Sequence, residues 1–330
     1  MRYRLIALVL ALFGTGVQMP GCLAQSSAGQ ETGAEYIRSK IGSRIRTRMQ
    51  EKMQSNKRTA SNIERVELAG LKVAIWPPAQ IPAGGAPLVL FSHGFHGTST
   101  QSNALMTALC QAGYFVAAPD HADANMRAQL KRGGQDLGMR PDVSFASPEK
   151  WSESTYKNRG EDLKNLLAAL KADSKYKSQI DFTRLALVGH SLGGYTVLGL
   201  AGGWKSWKLD GVKAVVALSP FCTPYLTAGG GSLSSLNVPV MYQGGTRDNG
   251  ITPSLLGEEG AYARTSSPAA LVEFQDVGHF SFSNFNRDKT IDARIADYAV
   301  SFIDHYLKQG SEKSAYDHAK GAGVELFETK

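Results

Sequence analysis

Cysteine is scarce in this chain, with three among 330 residues. That excludes a small disulfide-stapled scaffold and a thiolate-rich metal module. Histidines and carboxylates form no cluster with ligand spacing, which argues against a metal enzyme. Repeats of solenoid or propeller length are missing too. Long apolar runs are also lacking. The stretch at 5–13, LIALVLALF, is too short to span a bilayer comfortably. Charge of one sign does not dominate, since 36 Lys and Arg face 29 Asp and Glu for a net +7. An excess of that size reads as a solvated face that aids solubility.

The basic residues gather near the start. Arg2 and Arg4 precede the apolar run, and small residues follow it, as in a secretory signal cleaved after Ala24. The expectation is therefore a signal peptide over 1–24 and a secreted or periplasmic protein, with a lipid anchor on Cys22 as the alternative. Residues 25–60 form a basic helix or arm. Ile37, Ile41, Ile45 and Met49 recur every four residues beside Arg38, Lys40, Arg44, Arg46 and Arg48. Without interleaved aromatics this stripe does not suggest nucleic acid. It suggests packing on the domain, a loose arm, or weak contact with a membrane surface. Cys110 and Cys222 could pair in an oxidising compartment, but they fall on distant elements and are expected as buried free thiols.

From about residue 64 the pattern changes. An alternating stretch, RVELAGLKVAIWPP, predicts a hairpin. Apolar strands at 87–93, 114–120, 184–190, 212–220, 238–245 and 270–277 then alternate with helices at 101–112, 159–173, 192–202 and 290–308. This rhythm predicts a mostly parallel central sheet with helices on both faces, in one domain over 61–310 with a C-terminal tail at 311–330. Chemistry in such sheets collects beyond the carboxyl ends of the strands. Two long connections, 122–153 and 219–237, leave such ends and are placed to wall a pocket.

One turn carries the strongest signal. In LVGHSLGGY, Ser191 lies two residues after Gly189 and two before Gly193, between a strand and a helix. Small neighbours permit a sharp, strained turn that lifts the serine to its tip. A serine hydroxyl at neutral pH needs a base, and that base needs an orienting carboxylate. Asp248 follows the strand ending in QGG, and His279 follows the last strand in DVGHFSF. The chain order Ser191, Asp248, His279 is the order this turn requires. Phe95, in SHGFHGTST, and Leu192, after the serine, offer backbone N–H groups for an oxyanion hole. Asp120 is expected to bind backbone amides and Asp276 to point away. Most of the seven histidines have bland explanations; among them His93, His96, His121, His190 and His305 lack a placement like that of His279.

The turn SHGF, the helix opening RGEDL, the elbow GHSLGG and the GH after the last strand resemble the α/β-hydrolase superfamily over about residues 64–308. Within it, the chain is similar to the exported branch of dienelactone hydrolases and platelet-activating-factor acetylhydrolases. The resemblance implies a cofactor-free serine esterase acting on a small-molecule ester or lipid-like substrate. Two departures stand out. Dienelactone hydrolases place a cysteine where Ser191 stands. The acetylhydrolases carry the acid one strand earlier, where AVVALSP has none. The alternatives are a catalytically silent binding protein on the same scaffold, or an acyltransferase or thioesterase with the same residues. Acyl specificity and oligomeric state are not legible.

Overall fold

The computed structural model describes residues 63–124, 141–228, 230–266, 268–308 and 321–330. The expected signal peptide with Cys22, the basic arm and part of the 122–153 connection lie outside these residues.

Among the described residues, nine strands form one sheet in the order β1-β2-β4-β3-β5-β6-β7-β8-β9. The hairpin expected near 64 is β1 (Glu64–Leu68) and β2 (Leu71–Trp76), paired antiparallel. Its turn places Ala69 and Gly70 at positive φ. The central strands run parallel: β3 (Ala86–Ser92), β4 (Phe115–Pro119), β5 (Ile180–His190), β6 (Val212–Leu218), β7 (Val240–Gly245) and β8 (Ala269–Phe274).

These strands are apolar on both faces because helices cover both. In β3, Leu88 and Leu90 point into one core, and Val89 and Phe91 into the other. The first core is closed by α2 (Lys157–Ala172) and α3 (Leu192–Leu198), through Leu163, Leu166, Leu170 and Tyr195. The second is closed by α1 (Asn103–Gln111) and, after the single turn α4 (Ala261–Arg264), by α5 (Lys289–Leu307). Leu105, Met106, Leu109, Phe302 and Ile303 supply its apolar surface. Each such side chain contributes roughly 1.5–3 kcal/mol on burial, so the two cores hold the strand ends in fixed relation.

Two details differ from the expectation. The helix predicted over 192–202 ends at Leu198 and continues as a wider turn over Gly199–Gly203, where Gly202 has φ 118°. Only glycine adopts that value without strain. The stretch expected as a peripheral tail also carries a strand. Val324–Thr329 forms β9 and pairs antiparallel with β8, burying Val324 in the second core. An exposed β8 edge would leave a row of unpaired backbone groups, and β9 covers it. Cys110 and Cys222 are both buried and free.

Candidate active site

The elbow is built by its glycines. A Cβ on Gly189 would stand 2.2 Å from the Gly193 carbonyl oxygen, and one on Gly193 would stand 1.9 Å from that of Ser92. Side chains at either position would force the strand and helix apart. Ser191 itself has φ 55° and ψ −118°, a conformation that L-residues avoid. Its N–H donates to the Leu218 carbonyl and its carbonyl accepts from Phe221 N–H, both at 3.0 Å. These bonds to the β6 end hold the strained turn in place.

Three strand ends converge on this hydroxyl. Ser191 Oγ lies 3.0 Å from His279 Nε2. His279 opens a short turn, His279–Phe282, after β8. Its Nδ1 lies 3.1 Å from Asp248 Oδ2, on the loop after β7. The structure thus brings together the three side chains singled out in the sequence. With Nδ1 protonated toward the carboxylate, Nε2 is left bare to take the serine proton.

Sequence reasoning passed over a fourth member. Ser219, at the end of β6, is buried and has φ 40°. Its hydroxyl donates to Asp248 Oδ2 and lies 2.7 Å from His279 Nδ1, so Nδ1–H is shared between the two oxygens. Burial works to raise the Asp248 pKa. The hydrogen bonds from His279 and Ser219 outweigh it, and the net direction is down, keeping the carboxylate ionised. The acid-free ALSP stretch therefore ends in a hydroxyl that serves the same imidazole. Its only sequence signal was its place directly after a strand.

The oxyanion candidates sit where expected along the chain. Phe95 lies on the turn after β3 and lines the cavity, and Leu192 is the first residue of α3, whose first N–H groups have no partner within the helix. Behind the Phe95 turn lies a buried polar cluster that the sequence did not reveal. Arg159, fully buried, donates to Asp123 at 2.5 Å and to the His93 carbonyl. Asp123 accepts His96 N–H at 3.2 Å, and His93 Nε2 accepts His121 N–H at 3.0 Å. Burial drives His93 and His121 well below the usual histidine range, so both are neutral. Arg159 and Asp162 belong to the RGEDL opening, which carried a likeness but no assigned task.

The rejected carboxylates behave as anticipated. Asp120 accepts Ser99 N–H at 2.6 Å, and Asp276 pairs with Arg247 in the open at 2.7 Å. His190, for which the sequence offered no task, is buried against His279, with ring centroids 4.8 Å apart.

Ser191 and His279 face a cavity of about 810 Å³. Phe95, Phe145, Phe221, Ile251, Phe280 and Phe285 give it an apolar wall, and no Asp, Glu, Lys or Arg lines it among the described residues. Phe145 and Phe221 come from the two long connections, which therefore do wall the pocket as expected. Such a space suits a small apolar ligand held beside a few convergent polar groups.

Comparison with known proteins adds two findings. The family model described as serine aminopeptidase, S33, matches residues 86–242, a stretch that holds Phe95, Ser191 and Ser219 and ends before Asp248 and His279. The platelet-activating factor acetylhydrolase of Canis lupus familiaris is 27% identical over 137 residues, covering 34% of this chain and 31% of that protein. The enzyme of the same name from Bos taurus is 26% identical over 137 residues, with the same coverage. The match thus spans about a third of the length of these relatives.

Proposed function

We propose that this α/β-hydrolase is a serine hydrolase that cleaves carboxylic esters through an acyl-enzyme on Ser191. One observation carries the reading: the Ser191 hydroxyl, hydrogen-bonded through His279 to Asp248, faces an open apolar cavity. As Ser191 Oγ attacks the ester carbonyl carbon, its proton passes to His279 Nε2. The carbonyl π-electrons move onto oxygen, which the N–H groups of Phe95 and Leu192 receive. Collapse of the tetrahedral species expels the alcohol, which takes the proton from the imidazolium. Water then repeats the sequence on the acyl-enzyme and frees the acid.

The uncharged wall supports substrates whose acyl and alcohol groups are neutral and apolar around the scissile bond. It speaks against a peptide with a free amine, because a buried ammonium needs a partner carboxylate. None lines the cavity among the described residues. The likeness to acetylhydrolases fits the same choice.

The test is a panel of nitrophenyl esters of increasing acyl length, run with and without a fluorophosphonate. Turnover should be abolished by the reagent, and peptide mass spectrometry should find the adduct on Ser191. Absence of both turnover and adduct would favour a silent binding protein. Acyl transfer to an added alcohol in place of water would favour an acyltransferase.

A further inference from the structure

The Phe95 turn and the His279 loop belong to strands on either side of β5, yet catalysis by the proposed route needs both set to within tenths of an ångström. A continuous chain of hydrogen bonds joins them. Gly94 N–H donates to Gln101 Oε1 at 3.0 Å. Gln101 Nε2 lies 2.7 Å from His190 Nδ1. His190 Nε2 lies 3.0 Å from the backbone carbonyl of His279. The two ends fix the direction of every bond. A backbone N–H only donates, so the amide presents its oxygen to Gly94 and its NH₂ to His190. A carbonyl only accepts, so His190 carries its proton on Nε2 and leaves Nδ1 bare. Each polar atom of both side chains that faces this chain is matched to its partner.

We propose that Gln101 and His190 are positioning residues that hold the Phe95 N–H and the His279 imidazole in register. The inference rests on the ester-hydrolase reading of the same site. Gln101 anchors the His279 side twice over, because its own carbonyl accepts Asn284 N–H at 2.7 Å. Its neighbour Ser102 donates to the Phe282 carbonyl at 2.7 Å, and Asn284 donates back to the Thr100 carbonyl at 2.7 Å. The segment 100–102 therefore clasps the loop that carries the base. Both Gln101 and His190 are buried at the cavity edge, so a lost partner can be replaced by water only from the cavity side. Burial, then the neighbouring His279, push His190 down to about 3 and keep it in the neutral form the chain requires.

The test compares the wild type with Gln101→Ala, Gln101→Glu and His190→Phe. A misplacement of about 1 Å at a reacting group costs on the order of 10²-fold. Gln101→Ala should lose about that much in kcat with KM little changed. A trifluoromethyl ketone, which adds to the serine and presents an oxyanion, should bind more weakly in proportion to the fall in kcat/KM. Gln101→Glu keeps the acceptor for Gly94 but turns an acceptor toward His190 Nδ1, so it should recover only part of the loss. His190→Phe, retaining a ring against His279, should lose as much as Gln101→Ala. Wild-type kcat in all three variants overturns the proposal, as does a loss confined to melting temperature. Wild-type protein that neither hydrolyses esters nor labels at Ser191 overturns the ester reading instead. A readout that needs no turnover is the ¹⁵N spectrum of the histidine rings. It should show His190 bare at Nδ1 and protonated at Nε2, and the opposite tautomer overturns the chain of bonds.

Discussion

The described residues hold two serine-histidine-aspartate arrays, not one. In the first, Asp248 meets His279 Nδ1 and Ser191 meets Nε2. In the second, Asp162 lies 2.8 Å from His121 Nδ1, and Ser92 Oγ lies 2.9 Å from Nε2. The order of serine, histidine and aspartate is the same and the distances differ by tenths of an ångström, although Ser219 reaches Asp248 and His279 as well. What separates them is surroundings. The His279 side chain is 23% exposed and faces the cavity, whereas that of His121 is 0% exposed. Ser191 stands at a strained turn after β5, while Ser92 is the buried last residue of β3. Neither Ser92 nor His121 lines the cavity. Arrangement of side chains alone does not make a nucleophile. It needs access for an acyl group and N–H donors where the oxyanion will form.

Substituting the two serines is the largest test of that contrast. Ser191→Ala should lower turnover on the order of 10⁶-fold while leaving the fold intact. Ser92→Ala should keep turnover within the same order of magnitude and lower stability by about 1–3 kcal/mol, because the buried His121 Nε2 loses its donor. Ester assays and denaturant melts of both variants decide it. Collapse of activity in Ser92→Ala with Ser191→Ala still active would exchange the roles of the two arrays.

The carboxylates give the next effect. Asp248→Asn turns an amide toward His279 and favours the wrong tautomer. In the best-studied triad that exchange costs roughly 10⁴-fold in kcat. Ser219 stays within reach of Nδ1, so the variant should retain more activity than the double change Ser219→Ala, Asp248→Asn. Asp162→Asn should leave kcat nearly unchanged. Steady-state kinetics on the four proteins measure this, and an Asp162→Asn loss comparable to that of Asp248→Asn would break the distinction.

The open array was legible in the sequence and the buried one was not, for a physical reason. Ser191 needs Gly189 and Gly193, and those steric demands leave a local mark. Asp248 and His279 follow strands of clear apolar pattern, so topology alone carried them to one edge. Gln101, His190, Ser219 and Arg159 act through contacts between segments far apart in the chain. Gln101 and His190 are separated by 89 positions, and no local pattern marks such a pair. The strand β9 escaped for a similar reason. VELFET alternates weakly, and its partner β8 lies across residues 275–323.

The smallest effect separates the two aspartates by the sign of their pH dependence. Burial pushes Asp162 up to about 6 from an ordinary 3.8, whereas Asp248 is held below it. For Asp162, both folded and unfolded chains are protonated below pH 3.8. Between there and about 6 the unfolded chain ionises first, so stability falls as pH rises through that window and levels off above it. Asp248 contributes the other way: its stabilisation is present above 3.8 and is lost as pH falls toward its depressed folded value. Asp162→Asn keeps an oxygen to accept the His121 Nδ1–H and removes the falling term. Its melting temperature should therefore gain on that of the wild type as pH rises from 4 to 6, on the order of a few °C. Asp248→Asn should show no such gain. Calorimetric melts of the three proteins at pH 4, 5, 6 and 7 read both slopes. A wild type that gains on Asp162→Asn across the window would mean that Asp162 is ionised against a charged His121. The two arrays would then share their electrostatics as well as their geometry, and access alone would tell them apart.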